Sequence, residues 1–536
     1  MEALDWIVIG VFALALIGII VWVVKQKQND SADYFLGGRD ATWLAIGASI
    51  FASNIGSEHL IGLAGAGASS GMAMAHWEIQ GWMILILGWV FVPFYSRSMV
   101  YTMPEFLERR YNSQSRTILS VISLISYVLT KVAVTVYAGG LVFQQVFGIK
   151  ELWGIDFFWI AAIGLVVLTA LYTIFGGMKS VLYTSVLQTP ILLLGSLIIL
   201  VLGFKELGGW DEMMRICGAV TVNDQGNTMT ELIRSNDDPN FPWLGALIGS
   251  AIIGFWYWCT DQFIVQRVLS GKNQKEARRG TIFGAYLKLL PVFLFLIPGM
   301  IAFALHQKYI GDGGFLPLLA NGTPNADAAF PTLVAKILPA GVKGLVVCGI
   351  LAALMSSLAS LFNSSAMLFT IDFYKRFKPQ TSEKKLVVIG QIATVVIVIL
   401  GILWIPIMRS VGDVLYTYLQ DVQSVLAPGI AAAFLLGICW KRTSAKGGMW
   451  GLISGMIIGL TRLGAKVYYS NAAVTDSSMF KYLFYDLNWL FFCGWMFLFC
   501  IVVVIVVSLM TEAPSAEKIQ GLVFGTSTPE QKAATR

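Results

Sequence analysis

Polar and ionisable side chains recur inside stretches of this sequence that are otherwise apolar. Asn54, Glu58 and His59 lie in "SNIGSEHLIGLAGAGASSG", followed by His76, Trp77 and Glu78; Asp261 sits in "FWYWCTDQF", Lys288 precedes "LLPVFLFLIPGMIAF", and Gln420, Asp421 and Gln423 close the set. A charged side chain at the centre of a membrane helix costs about 2.5–3.5 kcal/mol, and such residues usually face the interior and mark a pathway. Their mixture sets the chemistry. Acids, amides, an imidazole and an amine offer donors and acceptors in many directions, whereas one net charge would suit an ionic solute better. Tyr257, Trp258, Trp77 and Tyr416 add flat apolar walls. An aromatic pocket with a few directed polar groups fits a neutral, hydroxyl-rich molecule such as a sugar.

A second candidate set lies in "LAALMSSLASLFNSSAMLF", which carries Ser356 and Ser357. Na⁺ is a hard cation and prefers oxygen ligands. Two neighbouring hydroxyls, with carbonyls freed by a nearby helix break, complete such a shell without a full negative charge. Serines in membrane helices also commonly bond back to the carbonyl four residues earlier. Three charges admit a structural reading: Asp261 and Arg267 are spaced for an ion pair, and Glu78 stands near a helix end where water could solvate it.

Only long apolar helices can hold these groups in place. The 536 residues are 57% hydrophobic and 13% charged, with a mean hydropathy of +0.72, against roughly 45–50% and 25% in soluble domains. These values exclude a water-soluble enzyme and a disordered chain. Hydrocarbon about 30 Å thick needs roughly 20 apolar residues per helix. Windows of that kind begin near Trp6, Trp43, Trp77, Leu119, Phe157, Leu182, Trp243, Ile282, Leu333, Leu386, Val411, Met449 and Trp489. They predict an all-α integral membrane protein of about thirteen transmembrane helices, numbered here as spans 0 to 12.

Twenty-four of the 37 Lys and Arg residues fall in cytoplasmic loops if the N-terminus is outside, which places the C-terminus in the cytoplasm of a multi-pass plasma or inner membrane protein. The bases are scattered, so the net charge of +6 indicates no nucleic-acid partner. Cys217 lies in a polar loop without a loop partner, and the other five cysteines lie in or beside apolar segments. No structural disulfide is expected.

Spans 1 and 6 carry Gly, Ser and charge where a lipid-facing helix would carry Leu and Val. They are five spans apart, an odd number, so two five-helix units starting there would be inverted relative to one another. Broken helices at matching places in inverted repeats mark the substrate and ion site of a secondary transporter. Glycine alone also serves close helix packing, but that does not account for the polar residues. The resulting division is 1–40, a leading helix and inner loop; 41–205, the first repeat; 206–241, an extracellular loop; 242–440, the second repeat; 441–511, accessory helices; and 512–536, a cytoplasmic tail.

The segments "ASIFASNIGSEHLIGLAGAGASSG", "WYWCTDQFIVQRVLSGKN", "GAYLKLLP", "LMSSLASLFNSS" and "ALYTIFGGMKSVLYTSVLQT" resemble the sodium:solute symporters, and closely their sodium/glucose cotransporter branch, from about Tyr34 to Arg462. The resemblance implies a LeuT-like core of two inverted five-helix repeats with spans 1 and 6 broken. It implies sugar contacts from Asn54, His59, Glu78, Trp258, Lys288 and Gln420, with Tyr257 as inner gate beside the sugar and Leu63, Trp77 and Tyr416 as outer gate. Its common sodium site would use the carbonyls of Ala52, Ile55 and Ala353 with the hydroxyls of Ser356 and Ser357. Relatives with a second sodium ion carry an Asp and a Thr where this chain has Ser185 and Ala359, which implies one Na⁺ per substrate. Glu58 stands where some relatives have Gly, and its role is left open between tuning His59 and meeting solvent.

The expected function is alternating-access symport of Na⁺ with a glucose- or galactose-like hexose. The alternatives are Na⁺-coupled uptake of myo-inositol or another small polar solute, and a sugar sensor without net flux. The expected partners are sugar, Na⁺ as the co-transported ion, and the lipid bilayer; no organic cofactor and no obligate protein partner are expected. A membrane enzyme is disfavoured, because three histidines supply no metal-ligand cluster or nucleophile-base pair.

Overall fold

A computed structural model describes residues 1–26, 30–319, 321–411, 415–469 and 477–527, with the backbone alone at 129–130, 407–411 and 415–421. Among the described residues ten helices are long and apolar enough to cross a membrane, and two shorter apolar helices, Trp43–Asn54 and Ala133–Phe147, join them. The helix Phe157–Leu207 is 51 residues long, far more than a bilayer needs. It is two spans. Gly177 has a φ of 52°, and Ser180 Oγ lies 3.1 Å from the carbonyl of Tyr172, although eight residues of straight helix cover about 12 Å. Span 8 begins at Val342 rather than Leu333, because Ala329–Ile337 forms a separate short helix.

The interruptions expected in spans 1 and 6 are present. In span 1, α1 (Trp43–Asn54) stops at Ile55, whose ψ of 96° is extended, and the chain resumes as helix from Glu58 to Ser70. Asn54, Gly56 and Ser57 favour this break, since Asn and Ser compete with the helix for backbone bonds and Gly costs entropy to order. In span 6 the segment Trp243–Thr260 ends at Asp261, with a ψ of 128°. Asp261 also caps α2 (Gln262–Leu269), accepting from the Phe263 amide at 3.2 Å, so one residue both ends a helix and starts the next.

Much of the glycine content serves packing. A Cβ on Gly67 would lie 2.2 Å from the Leu296 carbonyl, and one on Gly299 would lie 1.9 Å from that of Ala64. Spans 1 and 7 therefore meet backbone to backbone, and neither position has a flexible side chain that can yield. Gly299→Ala is expected to force the two spans apart at a cost of about 1–3 kcal/mol or more, read as a fall in detergent-solubilised melting temperature. An unchanged value would mean this crossing is loose. The leading helix Ala3–Val24 is fixed at one end by Asp5, whose Oδ1 accepts from the amides of Gly341 and Gly344 at 2.7 and 2.8 Å at the start of span 8.

Candidate functional site

The two breaks touch. Asn54, the last helical residue before the gap in span 1, donates from Nδ2 to Tyr257 Oη at 3.0 Å, just before the gap in span 6. Around this contact is a cavity of about 30 Å³ lined by Asn54, Glu58, His59, Trp77, Glu78, Gln80, Tyr257, Trp258, Lys288 and Gln423. Six of the seven residues expected to meet substrate are therefore brought together. The seventh, Gln420, has its side chain outside the described residues, as does Tyr416. Of the remaining gate residues, Trp77 lines the cavity and stacks edge-on against Trp489 at 5.3 Å, whereas Leu63 is buried nearby without lining it.

The charges in the cavity are arranged around Lys288. Its ammonium lies 2.6 Å from Glu78 Oε2 and 2.6 Å from His59 Nε2, with the Trp258 ring centre at 5.7 Å. Glu78 is only 5% exposed, which is against the alternative reading that water solvates it. An ammonium has donors only, so His59 Nε2 accepts and the ring proton sits on Nδ1. Among the described residues three buried polar atoms of the lining have neither a hydrogen-bond nor an ion-pair partner: His59 Nδ1, Trp258 Nε1 and Asn54 Oδ1. These are two donors and one acceptor on residues that line one small cavity. Buried polar groups are normally hydrogen-bonded in native proteins, so these three are available to a partner that enters the cavity.

Next to the break in span 6, the Asp261–Arg267 ion pair that their spacing allowed is not formed. Asp261 instead pairs with Lys131 of span 3 at 2.8 Å and accepts from the Tyr127 hydroxyl. The Lys131 ammonium also lies over four rings, with centres at 4.6 Å for Tyr257, 4.8 Å for Phe263, 5.2 Å for Tyr127 and 5.5 Å for Trp256. Arg267 points the other way, its Nε donating to Ser49 Oγ and Ser53 Oγ, each at 3.1 Å. The reason is geometric: a residue at the cap of α2 and one six positions later lie on different faces of a short helix.

The second candidate set lies where span 1 crosses span 8. Ser357 Oγ donates to the Ser53 carbonyl at 2.7 Å, and a Cβ on Gly56 would sit 2.7 Å from that hydroxyl, so glycine is what lets the helices approach. Ala52, Ile55, Ala353, Ser356 and Ser357 are all buried. Among the described residues no N–H donates to the carbonyls of Ala52 or Ile55, as a helix terminus leaves them. Ser185 Oγ donates back to Val181 O at 2.6 Å and lies 3.3 Å from Ser356 Oγ, while Ala359 is fully buried. Ser53 and Ser360, 2.7 Å apart, and Ser49 were not anticipated from sequence. The spacing of Ser49 with Ser53, and of Ser356 with Ser360, is four residues and puts each pair on one helix face. Gln80, also unforeseen, gave no signal, since one amide near a helix end is ordinary. On the opposite side of span 1, Asp327 packs against Gly65 in the loop before span 8, and burial pushes its carboxyl up to about 6.

Comparison with known proteins places this arrangement. The human protein "Sodium/myo-inositol cotransporter 2" is 37% identical over 98% of this chain and 79% of its own length. "Sodium/glucose cotransporter 4" of Danio rerio is 36% identical over 97% of this chain and 80% of its own. Among solved structures, a Na⁺-coupled sialic acid symporter superposes with a TM-score of 0.78 at 22% identity, covering 96% of this chain and 99% of that one. The transporter Mhp1 superposes at 0.51 and 15% identity over 92% and 98%. These two establish a LeuT-like fold. A sequence profile of the sodium:solute symporter family matches residues 34–455. The chain is a multi-pass membrane protein and a Na⁺-coupled solute symporter, and it belongs to the sodium:solute symporter family.

Proposed function

We propose that the protein couples inward Na⁺ flux to uptake of a neutral, hydroxyl-rich ring solute, a hexose or myo-inositol, by alternating access with one Na⁺ per solute. The observation that carries this reading is the meeting of the two breaks at Asn54 and Tyr257, among buried groups with unused donors and acceptors. Asn54, His59, Glu78, Trp258, Lys288 and Gln420 contact the solute. His59 Nδ1–H and Trp258 Nε1–H donate to its hydroxyl oxygens, and Asn54 Oδ1 accepts from one. Named relatives on both the inositol and the glucose side support the solute class.

A cavity of about 30 Å³ holds about one water and is far below the roughly 300 Å³ of small-molecule pockets. The solute therefore enters only when the lining moves apart, with Leu63, Trp77 and Tyr416 yielding on the outer side and Tyr257 on the inner. The ordering of domains and the N-outside, C-cytoplasmic topology expected from sequence are part of this reading. Na⁺ is held by the carbonyls of Ala52, Ile55 and Ala353 and the hydroxyls of Ser356 and Ser357, tying span 1 to span 8. A serine hydroxyl has one proton and two lone pairs, so Ser357 donates to Ser53 and still ligates a cation. The ion shifts the conformational equilibrium only through its greater affinity for the outward-facing state, and the membrane potential drives entry with about 2.3 kcal/mol per charge per 100 mV.

Uptake of labelled hexose or myo-inositol into proteoliposomes is expected to saturate and to require inward Na⁺; flux without saturation would point to a channel instead. Ser357→Ala is expected to raise the Na⁺ concentration for half-maximal uptake about ten- to a hundredfold, as for loss of an interaction of about 1.5–3 kcal/mol with a charged group. Unchanged Na⁺ dependence removes Ser357 from the site. Accumulation is expected to follow the first power of the Na⁺ gradient, because Ser185 and Ala359 supply no carboxylate to offset dehydration of a second cation. A squared dependence defeats that point.

A further inference from the structure

We infer that the protein holds an anionic phospholipid at the face its topology turns to the cytoplasm, with the phosphate on Arg97 and Lys518 and one acyl chain in an apolar groove between spans 2, 6, 10 and 12. The groove is a cavity of about 390 Å³. Ile86, Val90, Phe255, Leu435 and Phe497 line it and are half-buried, so its walls are reachable from the lipid. Along span 10 it runs from Ala431 to Cys439, about 12 Å of helix. Apolar cavities stay dry because water finds no polar partner in them, and at membrane depth hydrocarbon is what remains to fill one.

The groove leads to a cation. Phe524 of the C-terminal segment also lines it, and its amide donates to the Ile438 carbonyl at 2.9 Å. Its ring meets Phe94 edge-on at 4.7 Å, and the Arg97 guanidinium lies 5.2 Å from the same Phe94 ring centre. Arg97 in turn lines a second cavity, of about 400 Å³, together with Arg109, Lys518 and Glu517. Arg109 is taken by Glu105 at 2.8 Å. Arg97 and Lys518 have no carboxylate at ion-pair distance among the described residues. Arg97 donates to the Pro93 carbonyl at 2.7 Å and to the Ser527 hydroxyl, and Lys518 donates to the Glu108 carbonyl at 3.0 Å.

Lys518 also lines a third cavity, of about 520 Å³, with Arg110, Lys446 and Glu512. Arg110 is 1% exposed, and its Nη1 has no hydrogen-bond partner among the described residues. A buried guanidinium with a spare donor beside a cavity suits an acceptor that the chain does not supply. The neighbouring acids do not cancel these bases. Segments 97–116, 439–446 and 511–527, which build this face, carry eight bases and four acids, and counting Asp372, the buried partner of Arg116 at 2.6 Å, still leaves +3. Basic pockets beside membrane helices bind phosphate headgroups, and an apolar groove next to the bases selects a phosphate that carries a hydrocarbon chain.

The test uses the full chain in detergent, titrated with phosphatidylglycerol or with phosphatidylcholine of the same chains and followed by melting temperature, since a ligand of the folded state raises it. Phosphatidylglycerol is expected to act at a concentration at least about tenfold lower than phosphatidylcholine. Arg97→Gln combined with Lys518→Gln is expected to raise the half-saturating phosphatidylglycerol concentration about thirtyfold, roughly fivefold per base, and to leave phosphatidylcholine unchanged. Val90→Trp fills the groove and is expected to weaken both lipids alike. Glycerol 3-phosphate, a headgroup without chains, is expected to give no shift. Equal action of the two lipids, a preference that survives the paired glutamines, or a full shift with glycerol 3-phosphate overturns the lipid site. Should the paired variant fail to fold, the two lipids and glycerol 3-phosphate on the unmodified protein decide alone.

Discussion

Lys288→Ala is expected to abolish uptake and to destabilise the protein by about 3–5 kcal/mol. The substitution removes the ammonium 2.6 Å from Glu78 Oε2 and, among the described residues, leaves that buried carboxylate with His59 Nε2 at 3.5 Å as its one ion-pair contact. The loss of one partner from a buried ion pair is costly because the remaining charge has neither water nor counterion. Removal of both charges is much milder, since apolar replacements of similar volume often match a buried pair in stability. Glu78→Gln combined with Lys288→Met is therefore expected to recover most of the melting temperature and none of the uptake. This split separates folding from solute binding. If the single variant melts like the unmodified protein, the pair is not compensating charge in the way its geometry implies. If the double variant transports, neither residue contacts the solute.

The second large effect is expected at the break in span 6. Asp261→Asn keeps the side-chain shape and the ability to cap Gln262–Leu269, since Asn is as good a cap as Asp, so the variant isolates the charge. It leaves the Lys131 ammonium among four aromatic rings without its carboxylate at 2.8 Å. Cation–π contacts contribute about 0.5–2 kcal/mol each and offset only part of the loss, so a fall of about 3–5 kcal/mol is expected here as well. Because the Tyr257 ring is one of the four, 4.6 Å from the ammonium, the side of the cavity formed by Tyr257 should loosen first. Amide hydrogen exchange is expected to rise in Gln262–Leu269 with little change in the leading helix Ala3–Val24. Uniform exchange across both segments would mean that Asp261 stabilises the fold as a whole and does not hold the Tyr257 side of the cavity closed.

Both predictions concern residues that stand out in the amino-acid sequence, in pairings that do not. Hydropathy places the spans because lipid leaves the backbone no option except helix, and that constraint acts on each segment separately. The breaks are legible for a similar local reason: Asn54, Gly56, Ser57 and Asp261 favour termini and caps wherever they occur. The side chains of Asn54, His59, Glu78 and Lys288 are conspicuous because charge and polarity at membrane depth are costly enough to require a purpose.

Pairing is another matter. Lys131 finds Asp261 across 130 residues of chain, and Lys288 reaches His59 across 229, distances over which no periodicity carries information. Arg267 turns to Ser49 and Ser53 instead of its near neighbour in sequence because helix geometry sends the two side chains to different faces. Glu58 shows the same limit: its charge can be read, yet whether a cation stands opposite depends on how spans 1, 2 and 7 cross. Local chemistry says which atoms need a partner, while the crossing of helices far apart in the chain settles which partner each one gets.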